Sequence, residues 1–174
     1  MAQPTSQEPP PPMFNDPPPE SLRGARVLVT DDEDLVRTVY AEVLRRYGAE
    51  VAEAADGAEG VSLARALRPD LVLMDLRMPG TDGWEALAAL RADPATAGLV
   101  VVAFSSDTSQ ATRGRALEAG FDAFLEKAYT AGNLVRALEG LLREARERRE
   151  KARPADPMSV AAAALLPFLP PLLG

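Results

Sequence analysis

The sequence predicts an α/β fold, a five-stranded parallel sheet covered by helices on both faces and doubly wound in the order 2-1-3-4-5. Between Arg23 and Arg149, short apolar runs alternate five times with helical repeats. Such βα alternation implies right-handed crossovers above and below one parallel sheet. The length of 174 residues allows one ordinary domain plus tails, which suits the smaller of the two common doubly wound orders.

The first strand is expected at residues 26–30, an apolar run that ends in the acidic stretch Asp31-Asp32-Glu33-Asp34. Leu35, Val36, Val39, Tyr40, Val43, Leu44 and Tyr47 then recur at spacings of three and four, and Gly48 closes that helix as a left-handed cap would. Asp31 and Asp32 could cap it at the start, or Asp34 could do so and leave the pair free. A second strand at 50–54 leads to a helix marked by Val61, Ala64 and Leu67. The third strand, 71–74, delivers Asp75 into the turn-rich run Leu76-Arg77-Met78-Pro79-Gly80. Trp84, Leu87, Ala88 and Leu90 mark the third helix, with Trp84 assigned to packing alone. The fourth strand is expected at 99–104, followed by a weaker helix from Ser109 to Ala119 with Gly120 as its cap. A strand at 122–125 and a helix carrying Leu134, Val135, Leu138, Leu141 and Leu142 complete the set.

Composition excludes several chemistries. There is no cysteine, so disulfides and thiolate metal sites are absent, and no histidine, which removes a Ser-His-Asp triad, imidazole zinc ligands and a histidine nucleophile from this chain. A net charge of −7 argues against a whole-domain footprint on nucleic acid or anionic lipid. Residues 1–22 hold eight of the 16 prolines and read as a disordered, solvated leader without a secretory signal. The domain proper is expected over 23–149. Arg143 to Arg153 carries six basic and three acidic residues, with Glu144–Arg148 and Glu147–Lys151 at i, i+4 spacing, and reads as a solvated extension of the fifth helix. Residues 150–174 form a tail whose apolar stretch, Met158 to Leu173, is 16 residues long and broken by three prolines, too short to span a bilayer. The 21 residues after Arg153 cannot build a helix-turn-helix or catalytic output domain, so a stand-alone protein is expected.

Ligands of such sheets bind beyond the carboxyl ends of the strands, where the strand order reverses between strands 1 and 3. Asp31 and Asp32 end strand 1, Asp75 ends strand 3, Ser105 ends strand 4 and Lys127 ends strand 5, so the polar residues of interest converge on one rim. Three carboxylates crowded there need a compensating positive charge, and a hard divalent cation such as Mg²⁺ is the natural candidate. Each residue also has a plainer explanation: a turn former at Asp75, a loop hydroxyl at Ser105, a core aromatic at Phe124.

The motifs Val-Leu-Val-Thr-Asp31-Asp32-Glu33, Leu-Val-Leu-Met-Asp75-Leu-Arg-Met-Pro-Gly, Val-Val-Ala-Phe-Ser105-Ser106 and Asp-Ala-Phe124-Leu-Glu-Lys127 stand in that order, with Ser105 and Lys127 30 and 52 residues past Asp75. Across residues 25–145 the chain resembles the CheY-like receiver domain of bacterial two-component response regulators, with its flavodoxin-like (βα)5 fold. The resemblance implies that Asp75 is the phosphoacceptor for a phosphohistidine on a partner sensor histidine kinase or phosphotransfer protein. It further implies that Asp32, Asp75 and the backbone carbonyl of Arg77 ligate Mg²⁺, that Asp31 holds a water of the metal, and that Lys127 neutralises the phosphoryl group. Ser105 matches the hydroxyl switch and Phe124 the aromatic switch.

The implied protein is a cytoplasmic, non-enzymatic response regulator, capable at most of intrinsic self-phosphorylation and self-dephosphorylation. It would act on an unknown downstream protein or a second copy of itself through the fourth helix, fifth strand and fifth helix, with no direct nucleic-acid contact. Two residues depart from the family pattern. Ala128 follows Lys127 where proline, often cis, is usual; a cis bond before a non-proline residue costs about 2.5–4 kcal/mol, so a trans peptide and an altered loop are expected. Phe124 stands where tyrosine or histidine is frequent, which leaves packing as its only signal. An aspartyl phosphatase would need a second acid two residues past the nucleophile, where Arg77 stands, and a constitutive pseudo-receiver scaffold would be expected to have lost an acidic residue or the lysine.

Overall fold

Five parallel strands pair in the expected order, β2-β1-β3-β4-β5, in a computed structural model that describes residues 17, 18 and 20–152. The elements are β1 (Arg26–Thr30), α1 (Asp34–Arg46), β2 (Glu50–Ala54), α2 (Gly57–Leu67), β3 (Leu71–Asp75), α3 (Gly83–Ala92), β4 (Val100–Ser105), α4 (Gln110–Ala119), β5 (Ala123–Glu126) and α5 (Ala131–Ala152). Most of the proline-rich leader and the apolar tail lie outside the described residues. Every residue of β3 and β4 is buried, as expected of central parallel strands covered on both faces, whereas edge strand β2 is half-buried over most of its length.

The last three strands run one residue further than their apolar runs. Parallel pairing continues past the last hydrophobic position, so Asp75 pairs opposite Phe104 and Ser105 opposite Glu126. Asp75 and Ser105 are therefore held within the sheet's hydrogen-bond ladder, whereas Asp31, Asp32 and Lys127 lie just beyond the ends of their strands.

Helix ends follow the local chemistry. Asp82 caps α3 by accepting from the Trp84 and Glu85 N–H groups at 2.9 Å, and Glu85 reaches back to the Asp82 N–H, a complete capping box. Ser109 caps α4 at its start and Gly120, with φ of 104°, ends it in the left-handed region. At α1 the cap is Glu33, whose side chain makes no capping bond; Asp34 is already inside the helix, ion-paired with Arg37. The apolar repeat of α1 is also wider than its buried stripe. Ala41, Leu44 and Tyr47 are buried, but Leu35 is 76% and Val39 49% exposed.

Ordered structure begins before the expected end of the leader. Leu22 is buried, and its N–H donates to the Tyr47 carbonyl at 2.8 Å, so this segment packs at the C-terminal end of α1. The fifth helix continues through Ala152, as the charge pattern of that stretch predicts, and the Arg148 guanidinium reaches the Glu144 main-chain carbonyl at 3.4 Å.

Gly83, the first residue of α3, sits directly against the strand that ends in Asp75: a Cβ there would lie 2.1 Å from the Asp75 carbonyl oxygen and 2.9 Å from the Leu76 Cα. Both are main-chain atoms that cannot step aside. We expect Gly83→Ala to lower unfolding stability by about 1–3 kcal/mol or more, measured by urea denaturation. A variant as stable as the wild type would show that this contact is not tight.

Candidate functional site

Parallel pairing sets β1 beside β3, with Thr30 opposite Met74, so the residues that follow these strands emerge side by side. Ligand atoms of Asp31, Asp32 and Asp75 all lie within 4.8 Å of one another. Asp31 and Asp75 are buried and Asp32 is partly exposed. The Lys127 ammonium, just past β5, is 2.8 Å from Asp31 Oδ2 and 3.3 Å from Asp75 Oδ1. The Asp31 contact is a close meeting of charges rather than an aligned hydrogen bond. The other oxygen of Asp31 accepts from the Glu33 N–H at 3.0 Å, and the Arg77 N–H turns back to the Asp75 carboxylate.

Burial pushes the Asp75 carboxyl above its usual range; the Lys127 charge pulls the other way and the Asp31 charge pushes up again, and burial wins. For Lys127, burial on its own would lower the ammonium, but the close contacts and charges of Asp31 and Asp75 together outweigh it and raise it. The site therefore holds one firmly cationic group and an excess of negative charge. Converging hard oxygen donors of this kind suit a small divalent cation.

Ser105, at the end of β4, is buried, and its Oγ accepts from the Asp107 N–H at 3.1 Å. Because the oxygen is an acceptor in that bond, its own hydrogen is free to donate elsewhere. Four of the five strands thus bring their expected site residues to one rim. Phe124 is different: its ring is 4% exposed within the core cluster, with the Arg113 guanidinium 4.9 Å from its centroid and bound in turn to Glu126.

Several participants were not singled out by the sequence. Arg37 donates to the main-chain carbonyl of Asp31 at 2.7 Å, and Tyr40 donates its hydroxyl to the carbonyl of Lys127. Both sit within the helical pattern of α1, where a tyrosine among valines and leucines reads simply as apolar. Trp84 does more than pack: beside its edge-on contact with Phe121 and the Arg115 guanidinium 4.2 Å from its ring, it lines a cleft of about 140 Å³ with Arg77, Ser105, Asp107 and Thr112.

Comparison with known proteins agrees with this geometry. The model of the response regulator receiver domain matches residues 27–139. The chain belongs to the response regulator receiver family. The transcriptional regulatory protein PdtaR of Mycobacterium tuberculosis is 40% identical over 124 residues, 70% of this chain and 58% of that protein. A protein-glutamate methylesterase/protein-glutamine glutaminase of Anaeromyxobacter dehalogenans is 43% identical over 114 residues, but only 33% of its length is covered. This receiver thus spans little more than half of its curated relative PdtaR. Among solved structures, the Vibrio cholerae chemotaxis protein CheY4 superposes with a TM-score of 0.63 at 28% identity, covering 66% of this chain and 96% of the other. A LuxR-family response regulator from Aurantimonas reaches 0.64 at 34% identity, covering 69% and 86%. Among the described residues, no helix is long and apolar enough to cross a membrane.

A carboxyl raised by the fold binds a proton more tightly when folded, so its contribution to stability is present at low pH and is lost as pH rises through the folded value. At neutral pH, ionised Asp75 therefore costs stability in the metal-free receiver. We expect Asp75→Asn to have a higher melting temperature than the wild type in chelator at pH 7, with the gap narrowing as pH falls through the raised folded value of Asp75 and closed by about pH 4, near the ordinary carboxylate value. A variant less stable than the wild type at pH 7 would mean that attraction to Lys127 outweighs burial.

Proposed function

We propose that this receiver accepts a phosphoryl group on Asp75 from a phosphohistidine on a sensor histidine kinase or phosphotransfer protein, with Mg²⁺, and signals through a changed protein-binding face. The observation that carries the reading is the Lys127 ammonium set between Asp31 and Asp75 within a trio of carboxylates. In the transfer, an Asp75 oxygen attacks phosphorus in line while the P–N bond of the phosphohistidine breaks and its electron pair leaves with the imidazole. Such a reaction asks the protein for positioning and charge compensation rather than covalent work. Asp31, Asp32, Asp75 and the Arg77 carbonyl would hold Mg²⁺, which when bound neutralises charge on the transferring oxygens. Lys127 supplies compensation from the strand β5 side. The Ser105 hydroxyl then donates to a phosphoryl oxygen.

A phosphoryl group adds about −1.5 to −2 charge at pH 7 and draws Ser105 and Lys127 toward it. Because Phe124 already lies in the core, its response is a repacking beneath Arg113, which transmits to α4 and Glu126 on the face made by α4, β5 and α5. A downstream protein, or a second copy of the chain, reads that face. Relatives named as transcriptional regulators extend well beyond the matched region, and the reader proposed for this receiver is a protein.

Incubation with a small phosphodonor and Mg²⁺ should give base-labile phosphate on the wild type and none on Asp75→Asn; equal labelling of the two would sink the assignment. Millimolar Mg²⁺ should raise the melting temperature of the wild type by mass action, and Asp32→Ala should lose that response. A wild-type melting temperature indifferent to the ion counts against the metal site. Beryllofluoride with Mg²⁺ should perturb amides of residues 104–130 far from Asp75, and much less so in Ser105→Ala; changes confined to the rim would favour a scaffold that binds without switching.

A further inference from the structure

The turn after β5 is held from both sides. The Lys127 N–H donates to the Ser105 carbonyl at 2.9 Å, and the Lys127 carbonyl accepts the hydroxyl of Tyr40, 87 residues away on α1. The tyrosine ring is itself fixed, standing edge-on to Phe104 of β4 with centroids 4.6 Å apart at 86°. Burial raises the phenol above its ordinary value, with the Lys127 charge opposing and the Asp31 charge adding, so the hydroxyl keeps its proton at physiological pH and remains a donor. Beyond Lys127, Ala128 is exposed and offers no side-chain anchor, and the turn closes through the Tyr129 N–H to the Glu126 carbonyl at 3.1 Å.

We propose that Tyr40 is a positioning residue for the phosphoryl chemistry: its hydroxyl fixes the peptide group that follows Lys127, so that the ammonium stays between Asp31 and Asp75. The inference rests on Asp75 being the phosphoacceptor. A lysine head on four rotatable bonds meets two carboxylates at once only when the root of the side chain is fixed. Here the peptide before Lys127 is tied to β4 and the peptide after it to α1. Removing the Tyr40 hydroxyl releases the second tie while leaving the ring on Phe104. Misplacement of a charge-compensating group by a fraction of an ångström is felt in the rate rather than in the binding of donor or metal.

The test is labelling of the full chain by phosphoramidate with Mg²⁺, following maximal rate and half-saturation separately. Tyr40→Phe should slow the maximal rate roughly tenfold, with the half-saturating concentrations of donor and Mg²⁺ changed by less than about twofold. Lys127→Ala should lose more, and the double variant Tyr40→Phe/Lys127→Ala should be no slower than Lys127→Ala alone, because the hydroxyl acts only through the lysine. A Tyr40→Phe protein with the wild-type maximal rate overturns this inference alone. So does a double variant in which the two losses multiply, since Tyr40 would then act by another route, such as general loosening of the fold. A wild type that takes no label, or takes it equally in Asp75→Asn, overturns the phosphoacceptor reading and this inference with it.

Discussion

Lys127 brings one positive charge to two buried carboxylates, Asp31 at 2.8 Å and Asp75 at 3.3 Å, and the rest of the rim is arranged around that meeting. Three strands that are not consecutive in the chain must end at one level for it to occur. The order β2-β1-β3-β4-β5 achieves this by placing β1 against β3, while β5, at the sheet edge, lets its following lysine reach back across β4. A buried cation is expensive unless paired, and so is a buried carboxylate. Each therefore makes the other tolerable, and neither fully cancels the cluster, which leaves a residual negative charge at a place open to solvent through Asp32.

Much of this was legible in the sequence because the sheet writes its rules on it plainly. A fully buried parallel strand is a continuous apolar run, and a charged or polar residue at its end lies at the rim, so the positions of Asp31, Asp75, Ser105 and Lys127 could be read from the sequence. What stayed hidden was hidden for physical reasons. The hydroxyl of Tyr40 makes a contact 87 residues away, and no local periodicity distinguishes a phenol that packs from one that also donates. Leu35 and Val39 fit the helical repeat of α1 yet face solvent, since periodicity reports a stripe but not its width. Leu22 sits in proline-rich company that reads as solvated, and only the partner carbonyl on Tyr47 shows why it is ordered. The strand ends slipped by one residue because hydrogen-bond ladders do not stop where hydrophobicity does.

The relatives make a related point. At 28% identity with the Vibrio cholerae CheY4 protein the fold is retained, with a TM-score of 0.63. Hydrophobic positions in a doubly wound sheet can be exchanged among residues of similar volume with little cost.

The contact between Gly83 and the Asp75 carbonyl has a mechanical consequence. A side chain as small as a methyl group could not enter there, so the start of α3 is seated against the strand end with no slack. The cleft lined by Leu76, Arg77, Trp84, Ser105 and Thr112, where atoms have room to move, begins one residue past Asp75. Stiffness around the aspartate is thus lopsided. The main chain at Asp75 meets a wall at the start of α3, whereas Leu76 and Ser105 beside it border free volume, so adjustment falls to the neighbours of the aspartate rather than to its own backbone.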